Sequence, residues 1–321
     1  MTPAFTTPIL YLVFNRPELT RKSLACLRAI RPATLYVVAD GPRATVPDDT
    51  SHCDETRQVV DEGIDWPCSV HKRYRPVNLG CRHSVAAAIT WFFEQEPEGI
   101  ILEDDCLPTP SFFPYCEAML TQYRHDTRIF HIAGVNLMPT PVPSQDSYYF
   151  SKFPHVWGWA SWHRAWKNYD VTMSSWPQFK ATNLMSGICP NPREQSFYTD
   201  IFDRVHSRQI DTWDFQWFYT CWSNHALTIV PRHSLVSNCG FGPDATHTRK
   251  QNPRFADMST TDLDISKIQH PPFIACNGSL DTQLFDSLHP ARPPAVTWGH
   301  LIAPFFAALI GRNKPATKGG S

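Results

Sequence analysis

The hydrophobic positions change their period along the chain, and that change predicts most of the architecture. Three unbroken apolar runs, at 9–14, 35–39 and 99–102, alternate with stretches in which apolar residues recur every three or four positions. Unbroken runs of this length suit strands covered on both faces, and the three-to-four spacing suits amphipathic helices. The first half therefore reads as repeated β-α-β units around a mostly parallel sheet. Helices are predicted over 17–30, where Pro17 fits a first helical turn, and over about 54–62, 79–94 and 111–123. Weaker strand patterns fall at 69–73 and 129–132.

Beyond Ile132 the pattern breaks up. Pro139, Pro141 and Pro143 interrupt it, and aromatic residues crowd the stretch from Tyr148 to Trp176. Helices are predicted there over about 192–208 and 214–222, with a short strand at 228–230. The expected organisation is one domain over residues 1–250, in two halves, the first to about 135 and the second from 136. A polar, Pro-rich extension over 251–321 is expected to lie on the surface. Its apolar segment 298–310 carries His300 and Pro304 and is short for a membrane span. Burial against the main domain is the first expectation for it, and in-plane membrane contact the second.

Composition narrows the classes. The 321 residues are 42% hydrophobic, enough for a sizeable core, and 29 basic residues against 30 acidic ones leave a formal charge of −1. No basic excess points to nucleic acid, so none is expected as a partner. The ten cysteines form no C-x-x-C pair and no zinc spacing, and are expected to be reduced structural thiols. The first residues lack the basic region and cleavage site of a signal peptide, so the expected location is the cytoplasm, at most associated with the inner face of a membrane.

The candidate chemistry sits at the strand ends. Glu103-Asp104-Asp105 follows an apolar strand directly, and three adjacent carboxylates repel one another and are costly to desolvate. A hard cation is the simplest remedy. Mn²⁺ or Mg²⁺ takes oxygen ligands and is commonly held by one or two carboxylates plus substrate phosphates. The alternative is an acidic turn that favours the N-terminus of the next helix. In open sheets ligands bind beyond the carboxyl ends of the strands, so Asn15-Arg16, Asp40-Gly41 and the acidic triplet are expected to converge on one rim.

The run GIILEDDCLPTPSFFPYCEAML resembles the strand, acidic motif and helix of the N-acetylglucosaminyltransferases that initiate complex N-glycan branches. Asn15-Arg16, Asp40-Gly41, Arg82-His83 and Trp213-Asp214 follow in the same order, over about residues 8–250. F-N-R-P, D-G-P-R, L-E-D-D-C-L-P and W-G-W-A-S-W also resemble a poorly characterised bacterial group of this type. The resemblance implies the GT-A fold of nucleotide-diphospho-sugar transferases, an α/β, Rossmann-like, mixed and mostly parallel sheet flanked by helices. It implies Asp105 as the direct metal ligand, Glu103 and Asp104 near the ribose or donor sugar, and Asp40 facing a uracil. Arg16 and His83 would line the nucleotide pocket, and a guanidinium suits the bidentate geometry of a diphosphate. Gly41, Arg43 and Arg82 are expected beside them, with a plain turn and solvated arginines as the alternative reading.

Transfer with inversion needs a base opposite the donor, and Asp214, between Trp213 and Trp217, is the candidate. The related enzymes carry theirs in W-D-x-W, whereas this chain reads W-D-F-Q-W, so Asp211 stands as the alternative base and a helix cap as the alternative role of Asp214. Trp157, Gly158, Trp213 and Trp217 are expected to line the sugar or acceptor site, since aromatic faces suit pyranose rings. The Gly-rich loop 238–247 ends in His247, expected to join the metal or diphosphate.

The expectation is thus a cation-dependent, inverting glycosyltransferase. It would move a sugar, N-acetylglucosamine by resemblance, from a UDP-sugar to a glycan, bacterial polysaccharide or glycolipid. A sugar nucleotidyltransferase and a non-catalytic glycan- or nucleotide-binding protein are the alternatives.

Overall fold

The computed structural model describes residues 5–240 and 258–290. The first half runs β1 (Ile9–Val13), α1 (Pro17–Ile30), β2 (Thr34–Ala39), α2 (Asp49–Gly63), β3 (Ser69–Tyr74), α3 (Gly80–Gln95) and β4 (Glu98–Glu103). Then come β5 (Cys106–Pro108), α4 (Phe112–Tyr123), β6 (Ile129–Ala133), β7 (Tyr148–Ser151) and β8 (Trp159–Trp162). The chain continues through α5 (His163–Trp166), α6 (Trp176–Ala181), α7 (Met185–Ile188), α8 (Pro192–His206) and α9 (Asp214–Ser223). It then forms β9 (Leu227–Pro231), β10 (Val236–Asn238), a 3₁₀ turn at Ile265–Lys267 and α10 (Gly278–Leu288).

Eight strands form one sheet in the order β3-β2-β1-β4-β8-β6-β9-β7. The first four are parallel, β8 runs antiparallel between β4 and β6, β9 is parallel to β6, and β7 closes the edge antiparallel to β9. This is the mixed α/β sheet flanked by helices expected from the sequence. Alternate residues of the buried strands feed two cores. Leu10, Leu12, Tyr36, Val38 and Ile101 pack toward α3 and the aromatic residues of α8 and α9. Ile9, Tyr11, Val13, Val37, Ile100 and Leu102 pack toward α1, α2 and α4.

Several differences from expectation have clear causes. Helix α2 begins at Asp49, earlier than its apolar periodicity suggests, because the buried Asp49 carboxylate ties down the preceding loop through the Arg43 backbone N–H (3.0 Å) and side chain. The aromatic stretch after Tyr148 supplies β7 and β8, which complete the sheet. The segment expected as a surface tail is anchored where it is described. Asp281 of α10 is buried and accepts from Ser151 Oγ (2.6 Å) and the Lys152 N–H (3.0 Å), while Leu284 and Phe285 enter the core. All ten cysteines are free thiols. Among the described residues no helix is long and apolar enough to cross a membrane. The apolar segment 298–310 lies outside the described residues.

Candidate functional site: the strand-end rim and its aromatic backing

The register Leu12↔Glu103 and Val13↔Ala39 sets the carboxyl ends of β1, β2 and β4 side by side. The residues that follow each strand therefore meet. Arg16 lies across the acidic turn: one arm of its guanidinium donates to Asp104 Oδ1, and Nη1 stands 3.0 Å from Asp105 Oδ2. Asp104 is 1% exposed, and its second oxygen accepts the Phe14 N–H at 3.3 Å. A guanidinium bridging two carboxylates is an internal counter-ion for the acidic turn.

One positive charge does not balance the triplet. Burial, Asp105, Asp104 and Asp214 together raise the pKa of Glu103 well above the ordinary carboxylate range, with Arg16 opposing them. Asp104 is raised too, mainly by burial. Arg16 alone therefore does not offset burial and crowding, and both carboxyls are held toward their protonated forms.

The far wall is the short ladder β5–β10, which sequence periodicity does not reveal. Antiparallel pairing of Asn238 with Cys106 brings the 238–240 turn over Asp105. Asn238 Nδ2 donates to Asp105 Oδ1 at 3.1 Å, the Cys239 N–H donates to the Asp105 carbonyl at 2.9 Å, and Asn238 Oδ1 accepts the Gly240 N–H at 2.8 Å. A Cβ on Gly240 would lie 2.3 Å from Asp105 Oδ2. That is a steric clash, so only glycine lets this turn pack its backbone against the Asp105 carboxylate. The detectable signal was the Asn-Cys-Gly turn itself. Its partner, Asp105, lies too far back in the chain for local pattern to reveal.

The rest of the predicted nucleotide side takes other roles. Asp40 is buried, and its carboxylate accepts from Gly41 N–H (2.9 Å), Leu79 N–H (3.1 Å) and Asn78 Nδ2 (3.1 Å). It latches the end of β2 to the start of α3. At Gly41 the chain passes so close that a Cβ would lie 2.3 Å from the Val77 backbone. Arg43 forks onto Asp49 (2.5 and 2.7 Å) and lies over the Phe14 ring, while Asn15 Nδ2 donates to the same Asp49 at 2.6 Å. Asp49, which the sequence reading missed, thus joins the ends of β1 and β2, and Arg43 is a brace. Arg82 is buried and donates to the carbonyls of Val205 (3.1 Å) and Ile210, so it clamps the turn after α8. His83 is exposed on the first turn of α3, with no hydrogen bond among the described residues.

That clamp bears on the candidate bases. Asp214 opens α9, half-buried; its Oδ1 accepts from Thr212 Oγ1 and from the Phe215 N–H (2.8 Å), and among the described residues no donor reaches Oδ2. One oxygen is pinned and the other is available. Asp211 is exposed and stands 3.6 Å from Arg82 Nε. Burial raises the pKa of the half-buried Cys81 thiol beyond the usual thiol range, and Glu103, Asp214, Asp211 and Asp40 add to the rise.

Behind Asp214 the expected sugar platform turns out to be core. Trp217 is fully buried and donates to His131 Nδ1 at 3.1 Å; Trp213 is 3% exposed and stacks on Trp159 at 5.9 Å. Tyr169 stacks on Trp166 at 4.2 Å and donates its hydroxyl to the Trp213 carbonyl at 3.0 Å. Trp213 and Trp217 thus pack in the buried core behind Asp214. The i,i+4 spacing of Trp213 and Trp217 was the signal, since it puts both on one helix face. Trp157 is half-buried. The buried Gly158 carbonyl accepts the Gly134 N–H at 2.7 Å, and its backbone packs on Val236 and Leu102, one strand from the acidic turn.

Among the described residues no three His, Cys, Asp or Glu side chains form a ready-made cluster able to hold a metal. His247 lies outside the described residues. A groove of about 570 Å³ between α1 and α2, lined by Arg21, Glu55 and Glu62, is remote from the strand ends.

No protein-family profile matches the chain, and no curated protein is significantly similar to it. Loose likenesses exist among solved structures. An inositol-1-phosphate CTP transferase of T. maritima has a TM-score of 0.30 and 10% identity, covering 51% of this chain and 73% of its own. Mouse xyloside xylosyltransferase 1 has a TM-score of 0.33 and 12% identity, covering 67% and 81%. A Thermus thermophilus protein described as a mannose-1-phosphate geranyltransferase has a TM-score of 0.32 and 11% identity, covering 71% and 73%.

Proposed function

We propose that the chain is a transferase that binds a nucleotide-diphospho-sugar with a divalent cation at Asp105 and passes the sugar, with inversion, to a hydroxyl of a glycan or glycolipid. The observation that carries this reading is the bridging of Asp104 and Asp105 by Arg16 at the carboxyl ends of three parallel strands, in a turn that stays short of positive charge. The donor chemistry suits Mn²⁺ or Mg²⁺: hard carboxylate oxygens at a strand end, of the kind such ions combine with phosphate and water.

The bound cation would neutralise charge on the departing nucleotide diphosphate. Arg16 offers a fork for the same phosphates, and Asn238 holds the Asp105 carboxylate in one orientation. Thr212 and the Phe215 N–H fix Asp214 so that its Oδ2 is free to accept the acceptor's proton. The buried tryptophans behind Asp214 make that position rigid. UDP and N-acetylglucosamine are the first donor components to try.

The test is a screen of nucleotide-sugars for cation-dependent hydrolysis and transfer. Asp105→Ala is expected to lose about a hundredfold or more in turnover, and Asp214→Asn about the same in transfer while it still binds donor. Full cation-dependent turnover by Asp105→Ala would remove the assignment. Pyrophosphate release from a nucleoside triphosphate and a sugar phosphate would point instead to nucleotidyl transfer.

A further inference from the structure

Arg16 does more in this structure than stand near a phosphate. Its guanidinium reaches both aspartates of the acidic turn, meeting Asp104 Oδ1 with one arm and Asp105 Oδ2 at 3.0 Å with the other. The remaining carboxylate oxygens are also engaged, Asp104 Oδ2 by the Phe14 N–H and Asp105 Oδ1 by Asn238. The oxygen a cation would take is therefore Asp105 Oδ2, on the side where Arg16 now stands. A divalent ion and a guanidinium cannot share that oxygen closely, because like charges repel strongly in a half-buried pocket.

We infer that Arg16 and the divalent cation are alternative counter-ions of Asp105, and that the donor's diphosphate is what moves Arg16 from one partner to the other. The inference rests on the proposed donor and cation reading of this site. In the resting chain, Arg16 bridges the aspartates. When a diphosphate arrives, the guanidinium exchanges its Asp105 contact for a phosphate fork and keeps Asp104 as its buried anchor, and Asp105 Oδ2 becomes available to the ion. No contact is lost without replacement, so the exchange is reversible. Two consequences follow from linkage. The cation alone binds weakly, since it must displace Arg16 with nothing to receive it, and cation and nucleotide each tighten the other by the same factor.

The experiment titrates Mn²⁺ into the chain of residues 1–321, following free Mn²⁺ by electron paramagnetic resonance, with and without UDP and with the Mn²⁺–UDP complex measured separately. For the unaltered chain UDP is expected to tighten Mn²⁺ binding by about tenfold or more. Arg16→Gln is expected to bind Mn²⁺ alone about tenfold more tightly than the unaltered chain, and to gain less from UDP. It is also expected to melt lower without cation and to be raised more by Mn²⁺ alone, because Asp104 and Asp105 have lost their counter-ion. Arg16→Lys guards against a folding failure: an ammonium is a point charge that does not fork across two carboxylates, so its Mn²⁺ affinity should lie between the other two. If both variants bind Mn²⁺ alone no more tightly than the unaltered chain, while that chain still binds Mn²⁺ with UDP, the exchange is wrong and the cation site stands. If the unaltered chain binds no Mn²⁺ with or without UDP, the cation reading fails and the exchange falls with it.

Discussion

The strand-end rim and the aromatic core behind Asp214 touch each other but are built on opposite principles. The rim gathers Glu103, Asp104 and Asp105 around one guanidinium and holds Glu103 and Asp104 above their usual proton affinity. The core gathers Trp159, Trp166, Trp213 and Trp217 around His131 and holds that histidine neutral, pushed down to about 3 by burial, with neighbouring His155 at about 4. Both regions keep titratable groups away from their preferred charge state. In the rim the causes are burial and the crowding of like charge. In the core, the imidazole serves to satisfy the indole N–H of Trp217 and the carbonyl of His155, to which His131 Nε2 lies at 2.8 Å. Perturbed protonation therefore marks a function candidate only where the groups are reachable.

The largest test of that contrast is Trp217→Ala, which is expected to lose roughly 3–5 kcal/mol of stability in urea unfolding through the cavity it leaves. A variant of unchanged stability with weakened acceptor binding would put Trp217 back in a sugar site. Acid comes next. His131 and His155 have folded pKa values below the ordinary 6.5, so the stability they contribute is present above that value and is lost as pH falls toward about 4. Between pH 7.5 and 5 the two rings together should remove roughly 3–4 kcal/mol, and His155→Phe should roughly halve the slope. An unchanged slope in that variant would show that the ring is already charged in the fold.

The rim has the opposite sign. Glu103 has a folded pKa above its unfolded value, so its contribution is favourable at low pH and is lost as pH rises through the folded value. Glu103→Gln is accordingly expected to stabilise the chain by roughly 1–2 kcal/mol at pH 8, with little effect at pH 4, while lowering donor turnover. A loss of stability at pH 8 would mean that Glu103 is well satisfied as an anion and that the rim has no residual need for a cation.

Much of the fold was legible because β1, β2 and β4 are apolar without interruption, which is how strands covered on both faces are written. The acidic turn and Arg16 were legible for the same reason: a residue just past a parallel strand has to emerge on the ligand-binding rim. Asp40 was found at a strand end but its latch was not, since its partners Asn78 and Leu79 follow a whole helix and strand later. The partners of Arg43 and Arg82 were hidden likewise, because any arginine beside the strand-end rim looks like a phosphate ligand until its carboxylate or carbonyl partners are known. Strands β7, β8 and β10 were obscured by aromatic density and by length, three or four residues offering too few positions for a period to show.

The sequence by itself determined where strands end and which charges follow them, because period and adjacency are local properties of the chain. Only the tertiary structure decided which charges already have partners. Arg16 lies 88 positions from Asp104, Asn238 lies 133 from Asp105, and Trp217 lies 86 from His131. Whether a carboxylate is a latch, a ligand or a base depends on what occupies its second oxygen. At those separations that occupant is chosen by the packing of the sheet.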